Sequence, residues 1–283
     1  MSPAPAGGFD VFDVHHHVGR PFDALGGALD PDSDGTGAVE VAEVEARLRI
    51  MDAGGVSQAL VIPGHGYLRP SGIADTRRVN EEIAAYRDHR PDRFPVACGI
   101  VEPRDGPLAV TEVDRIGAEL GLVAISFHTR FQGVSVDSGW IHQAIERAGE
   151  RGMLPIIHAM NDTPEEALWK LAAVARGFGE LPILALDAFG SFEATRQCFQ
   201  VAEMAPNLVF DTSLSYNFDF IEDFATRFGA HRVVFGTDLY SPPVGRRISH
   251  LLPQILESSL GDADKAAILG GNARRLLGLA AAG

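Results

Sequence analysis

Two cysteines, Cys98 and Cys198, are all the chain has, and neither belongs to a C-x-x-C pair. That leaves no basis for a thiolate metal cluster or a disulfide framework, and a reducing compartment, the cytosol, is expected. No uninterrupted apolar run reaches the roughly 18 residues of a membrane-spanning helix. The start, MSPAPAGGF, has no basic stretch followed by an apolar one, so no secretory signal is read there. Basic residues are scarce: 24 Lys and Arg stand against 38 Asp and Glu, a formal net charge of −14. Nucleic acid and anionic membranes recruit clustered Lys and Arg, so neither is an expected partner. Missing too are G-x-G-x-x-G and G-x-x-x-x-G-K-[ST] after the first strand-like run, which removes the common dinucleotide and P-loop signatures. No Pro/Gly/Ser-rich linker or shift of composition marks a second domain.

What the chain does have is rhythm. Short apolar runs recur at 9–15, 56–63, 94–101, 121–128, 153–159, 181–187, 207–213 and 232–238. Most are continuous rather than alternating, as in parallel strands buried on both faces. Amphipathic segments lie between them: Val41, Val44, Leu48 and Met51 share a helical face, as do Val79, Ile83 and Tyr86, and Ile141, Ala144, Ile145 and Ala148. In DTPEEALWKLAAVARG, Thr163 is a candidate cap, Pro164 suits the first helical position, and Gly177 a stop. The Phe-rich 218–228 reads as a helix packed on its neighbours. Strand–helix alternation repeated about eight times over 283 residues predicts a single-domain (β/α)8 TIM barrel covering 1–283, with an open doubly wound sheet as runner-up. Residues 24–40 read as a long acidic loop after the first strand.

In a barrel, functional groups collect at the C-terminal ends of the strands. Those ends carry Asp13, His15 and His17, then His65, Glu102, His128, His158, Asp187, Asp211 with Ser213, and Asp238. Of ten histidines, His15, His16, His17, His65, His128 and His158 fall at or just after strand ends. Simple strand alternation puts Asp13, His15 and His17 on one face and His16 on the other, toward the helices. Two imidazoles at i and i+2 on a strand end can converge on one metal ion.

The D-x-H-x-H of Asp13–His17, the His closing the fifth strand, FGTD closing the eighth and the terminal GGNARRLLGL together resemble the amidohydrolase superfamily. The closest subset is the amidohydrolase-related (amidohydrolase 2) family. It includes small lactone and amide hydrolases and metal-dependent non-oxidative decarboxylases of aromatic and muconate-semialdehyde acids. The resemblance spans essentially the whole chain. It implies His15, His17 and His158 as metal ligands, and Asp238 as a ligand that also handles a proton. It implies one divalent ion, first Zn²⁺, with Mn²⁺, Fe²⁺ or Co²⁺ as alternatives, a small-molecule substrate and a homodimer. The activity expected from it is hydrolysis of an amide- or lactone-type bond by metal-activated water. The alternatives are non-oxidative decarboxylation of an aromatic or unsaturated acid, and a repurposed, non-catalytic barrel.

The sequence also departs from the family. Its sixth strand usually ends with a His two residues before a Gly, and here Ala188 stands in that place. The fourth strand ends in FHTR, with no Lys or Glu to bridge two metals, so a binuclear centre is not expected. His128 is the expected substitute acid/base, with Asp187 second and directed away from the face of Ala188. His65, Tyr67 and Arg130 are candidate substrate contacts, Arg130 through the planar fork that suits a carboxylate. His16 and the two cysteines are expected to be structural.

Overall fold

Eight parallel strands, in the order of the chain, form one sheet that curls into a barrel. They are β1 (Phe12–Val18), β2 (Gln58–Pro63), β3 (Val96–Ile100), β4 (Ala124–Phe127), β5 (Leu154–His158), β6 (Ile183–Leu186), β7 (Leu208–Asp211) and β8 (Val233–Val234). The computed structural model describes residues 6–19, 41–161, 163–240 and 249–280; the predicted loop at 24–40 lies outside them. The sheet closes where the Val14 amide donates to Phe235 O at 3.0 Å and the His17 amide to Leu239 O at 2.7 Å. All eight predicted strands are present, and the fold is the (β/α)8 TIM barrel.

The helices are α1 (Val41–Ala53), α2 (Ile73–His89), α3 (Pro107–Ala118), α4 (Thr129–Gln132), α5 (Gly139–Glu150), α6 (Leu168–Arg176), α7 (Phe192–Met204), α8 (Asp219–Phe228), α9 (Leu251–Glu257), α10 (Asp262–Ala266) and α11 (Asn272–Leu276). Ser138 and Ser191 cap α5 and α7 by accepting backbone N–H groups three residues on. The predicted start at Thr163 is wrong. Pro164–Glu166 is a 3₁₀ turn, Thr163 makes no cap bond, and extended Ala167 (ψ 123°) delays α6 to Leu168.

Two apolar layers result. Phe12, Val14, Leu60, Ile62, Cys98, Ile156, Leu184 and Leu186 fill the barrel, and Ala273 and Leu277 close its floor. The other strand faces pack against the helices through residues such as Leu48, Ile116, Ile145 and Leu171. Each such side chain, fully buried, contributes about 1.5–3 kcal/mol. Phe224 of α8 is buried, with its ring centroid 5.4 Å from Phe189 and 5.1 Å from Phe210, so the Phe-rich segment is a packing helix. Cys98 and Cys198 are buried core residues. Among the described residues, no helix is long and apolar enough to cross a membrane.

One irregularity in β1 aims the site. Asp13 pairs with Ala59, but His16 pairs with Val61, so three steps on β1 match two on β2. The extra residue is a bulge, which resets the alternation. Phe12 and Val14 face the barrel interior, and beyond the bulge so does His17, paired with interior Ile62. His15 turns to the same side. Asp13 pairs with outer-layer Ala59 and His16 with outer-layer Val61. The expectation that Asp13 shares a face with His15 and His17 is therefore corrected. The one for His16 holds, with its ring 6.3 Å from Phe94 of the outer layer.

Candidate metal centre

Three imidazole nitrogens converge at the C-terminal mouth. His15 Nε2 lies 3.0 Å from His17 Nε2, which lies 3.3 Å from His158 Nε2. Asp238 Oδ1 lies 3.3 Å from His15 Nε2 and 3.8 Å from His17 Nε2. The second nitrogen of every ring faces an acceptor. His15 Nδ1 is 2.8 Å from Asp211 Oδ2, His17 Nδ1 is 3.3 Å from Pro63 O, and His158 Nδ1 is 3.0 Å from Phe127 O. Each Nδ1 is therefore placed to donate a proton, and the three Nε2 atoms point at one another, free to ligate once His15 gives up its second proton. Lone pairs at that range repel unless a cation lies between them. Metal–nitrogen bonds of about 2.1 Å would put neighbouring donor atoms about 3.0–3.4 Å apart, between square and tetrahedral angles. The residues present fit one divalent ion.

The field around the centre favours a cation. Burial by itself lowers the His15 pKa. The charges of Asp187 and Asp238, with the hydrogen bond and charge of Asp211, overcome that and push it up to about 10. His17 and His158 are held well below the usual imidazole range, first by burial and then by the positive charge of neighbouring imidazoles. They are ready to ligate without losing a proton.

The surrounding residues lock this geometry. Asp211 accepts His15 Nδ1–H with one oxygen and the Asp187 amide with the other, at 2.8 Å each. Gly236 makes room for it, because a Cβ there would lie 2.5 Å from Asp211 Oδ2 and 3.0 Å from the His15 Cβ. Asp13 accepts from the His15 amide, the Thr237 amide and the Thr237 hydroxyl, which ties β1 to the segment carrying Asp238. Asp187 and Asp238 adopt left-handed backbone, with φ +63° and +55°. Such positions cost of order 1–3 kcal/mol and cluster at functional sites. Tyr240 stacks on His17 with ring centroids 4.6 Å apart.

Strand 6 requires a correction. Ala188 lies in the outer apolar layer, where its carbonyl accepts from Cys198 Sγ at 3.2 Å. Asp187 is the residue that faces the centre. Its Oδ1 accepts from Ser213 Oγ at 2.7 Å and lies 3.7 Å from His15 Nδ1. His15, Asp187 and Asp238 form a second set of donors within 4.8 Å of one another. The alternation of Asp187 and Ala188 is as expected, but the left-handed turn at Asp187 assigns the faces the other way round.

The remaining candidates divide. The His128 ring stacks on His158 at 4.0 Å and 6°, and its Nδ1 bonds Glu166, so it borders the centre. Burial, then Arg130 and His15, hold His128 well below the usual range. The His65 ring lies 5.1 Å from that of His158. Arg130 donates its amide to Glu166 Oε1 at 3.2 Å, and its guanidinium meets Glu166 and the Met160 sulfur. Among the described residues, no contact brings Tyr67 to the imidazoles. Its hydroxyl bonds Thr76 Oγ1 at 2.9 Å, beside Arg69, Glu102 and Asp105. Glu102 at the end of β3 is taken by Arg104, with two bonds of 2.9 Å. Reading the sequence singled out neither Glu166 nor Ser126 nor Tyr240, and it treated Asp211 and Ser213 as rim residues without a role. The strand-7 position of Asp211 was the available signal.

A family model described as amidohydrolase matches residues 12–279. A search of curated protein sequences finds no match. Solved structures share the fold at low identity. The 5-carboxyvanillate decarboxylase LigW from Sphingomonas paucimobilis is 16% identical over 96% of this chain and 100% of its own, with a TM-score of 0.70. The 2,6-dihydroxybenzoate decarboxylase from Rhizobium is 18% identical over 95% and 99%, with a TM-score of 0.67. The dihydroxybenzoic acid decarboxylase from Polaromonas sp. JS666, solved with manganese and 2-nitroresorcinol, is 19% identical over 97% and 98%, with a TM-score of 0.66.

Proposed function

The chain belongs to the amidohydrolase family, and on that premise we propose that it is a metal-dependent carboxy-lyase releasing CO₂ from a small aromatic or unsaturated acid. The observation that carries the metal dependence is the convergence of three imidazole Nε2 atoms and the Asp238 carboxylate on one point of the mouth. The choice of decarboxylation is supported by the relatives named above, all decarboxylases of aromatic acids, one of them solved with manganese. Hydrolysis, the first expectation from the sequence, uses the same centre and has no separate support. The non-catalytic reading rests on Ala188, which does not border the centre.

His15, His17, His158 and Asp238 would hold the ion. Bound there, it supplies a Lewis acid for oxygens of the substrate; Mn²⁺ and Zn²⁺ both suit the donors. The chain's own residues do the rest. Tyr240 beside His17 and Phe131 beside His128 offer flat walls for a planar acid. Arg130 offers N–H donors to an anionic group. The bond from carbon to carboxylate breaks, CO₂ leaves, and the electron pair stays on carbon. That carbon takes a proton relayed from solvent by way of Asp238, whose side chain is 13% exposed. His128, backed by Glu166, is the second proton carrier.

A panel assay tests the reading. The enzyme loaded with Mn²⁺ or Zn²⁺ is given aromatic acids, with 2,6-dihydroxybenzoate and 5-carboxyvanillate first, and CO₂ is measured beside a panel of amides and lactones. CO₂ release abolished by His158→Ala is the expected result. Hydrolysis of an amide or lactone with no CO₂ release would replace decarboxylation by hydrolysis.

A further inference from the structure

The loop from β2 to α2, residues 64–72, carries His65 to the mouth. The Gly64 amide fastens its start to β1, donating to Val18 O at 2.8 Å. At its far end the Gly72 amide donates to Arg69 O at 3.2 Å. In between, among the described residues, no amide from His65 to Arg69 donates to a backbone carbonyl. The course of this stretch therefore depends on side chains.

Arg69 supplies the main anchor. Its side chain is 13% exposed, and each guanidinium nitrogen meets a different part of the fold. Nε donates to Thr76 Oγ1 on α2 at 3.3 Å. Nη1 lies 3.7 Å from Glu102 Oε2 at the end of β3. Nη2 donates to Asp105 Oδ2 in the turn Pro103–Asp105. The buried Thr76 hydroxyl also meets the Tyr67 hydroxyl at 2.9 Å. Glu102 is buried and held from its other side by Arg104, so its charge is paired. Three nitrogens on three partners require the rigid planar fork of Arg, and a Lys ammonium, a single point charge, cannot reach all three. Four residues before this anchor, His65 Nε2 lies 3.1 Å from Ser126 Oγ. The His65 ring centroid is 5.1 Å from that of His158 and 6.0 Å from that of His17. His65 is thus suspended between the Gly64 bond to β1 and the Arg69 guanidinium.

We propose that Arg69 is a positioning residue for the reaction at the mouth: its guanidinium clasps the β2–α2 loop to α2 and to the end of β3, and so holds His65 against the edge of the bound acid. The inference deepens the proposed function and rests on the reading that an acid binds at this mouth. It gives Tyr67 a place in the clasp instead of on the substrate. It gives Glu102, a rim carboxylate, the task of countercharge to Arg69 and Arg104.

The test uses the zinc-loaded enzyme, with benzoate as the ligand probe. In Arg69→Met, hydrogen exchange read by mass spectrometry should quicken over 64–72 and stay unchanged in the strands. Zinc content should stay at the wild-type value. Benzoate should bind about tenfold more weakly, the size of one polar contact to a charged group. Arg69→Lys should behave like Arg69→Met, and Tyr67→Phe should bind benzoate within about threefold of wild type. In a His65→Ala background, Arg69→Met should change benzoate affinity by less than about twofold, because the clasp acts through His65. A merely structural role would weaken benzoate equally in both backgrounds. Asp105→Asn, which loosens the clasp from its more exposed side, replaces Arg69→Met if that variant fails to fold. Unchanged exchange over 64–72, or equal loss of benzoate affinity with and without His65, would overturn the proposal. CO₂ release is scored separately: acids that bind and release no CO₂ would remove the carboxy-lyase reading and leave the clasp standing.

Discussion

The Asp211 carboxylate on β7 lies 2.8 Å from Nδ1 of His15 on β1, across the mouth of the barrel. One oxygen fixes the tautomer of a metal ligand, and the other accepts the Asp187 amide at 2.8 Å. Both oxygens accept, and an amide side chain cannot do that. Asp211→Asn should therefore fold but bind metal about 10–100-fold more weakly, the usual cost of losing such a partner. Competition with a chromophoric chelator reads this directly, and unchanged affinity would show that His15 is oriented by something else.

Gly236 is the room Asp211 needs. A Cβ at that position would lie 2.5 Å from Asp211 Oδ2, so Gly236→Ala must displace the carboxylate. Overpacking of this kind costs about 1–3 kcal/mol. A lower thermal midpoint together with weaker metal binding is expected. Loss of stability with metal binding intact would mean that the strain relaxes away from the centre.

Asp187 and Ala188 make opposite predictions. Ala188→His puts an imidazole into the outer apolar layer and should destabilise the fold by at least about 1–3 kcal/mol, the cost of an unpartnered buried polar group. It should add no donor to the centre. Asp187→His places its ring beside His15 and should alter metal affinity. If Ala188→His instead tightened metal binding, the placement of strand 6 would be wrong.

The eight strands and most of the helices were legible because buried strands and amphipathic helices leave strong periodic patterns. The His15, His17, His158 and Asp238 set was legible for a related reason: a barrel sorts functional groups to one end. Three things were not. The bulge between Asp13 and His16 is an extra residue in the pairing with β2, and the apolar run does not reveal it. The left-handed turns at Asp187 and Asp238 reverse or re-aim side chains by one backbone angle. Glu166 meets His128 from 38 residues away through a turn that reads locally as a helix start. Each is a tertiary choice imposed on a locally ambiguous stretch.

Stability should fall in acid. His65 and His128 are held well below the usual imidazole range, burial being the largest cause for each. Above pH ~6.5 neither folded nor unfolded chain protonates them, so they add no slope. Below it the unfolded chain takes protons that the folded one refuses, and stability drops as pH falls toward the folded pKa. His15, pushed up to about 10, acts the other way. Its stabilisation is complete by pH ~6.5 and is lost as pH rises through 10. The thermal midpoint of metal-free protein should decline from pH 7 to 5, less steeply in His65→Asn. A flat profile would mean that these imidazoles titrate normally in the fold.

Glu166 backs His128 through its Nδ1. Glu166→Gln should leave metal content unchanged and lower kcat about tenfold or more, within the usual range for disturbing a general acid or base. Normal turnover would remove His128 from the proton path.

The central claim is the metal centre, and metal content tests it most directly. Untagged protein, purified without added metal or chelator, is measured by inductively coupled plasma mass spectrometry beside a His15→Ala, His17→Ala double variant. The structure predicts about one equivalent of a divalent transition metal in wild type, lost in a variant that remains folded, since one donor set converges on one point. Folded wild-type protein that holds no metal and takes up neither Zn²⁺ nor Mn²⁺ on addition would contradict it.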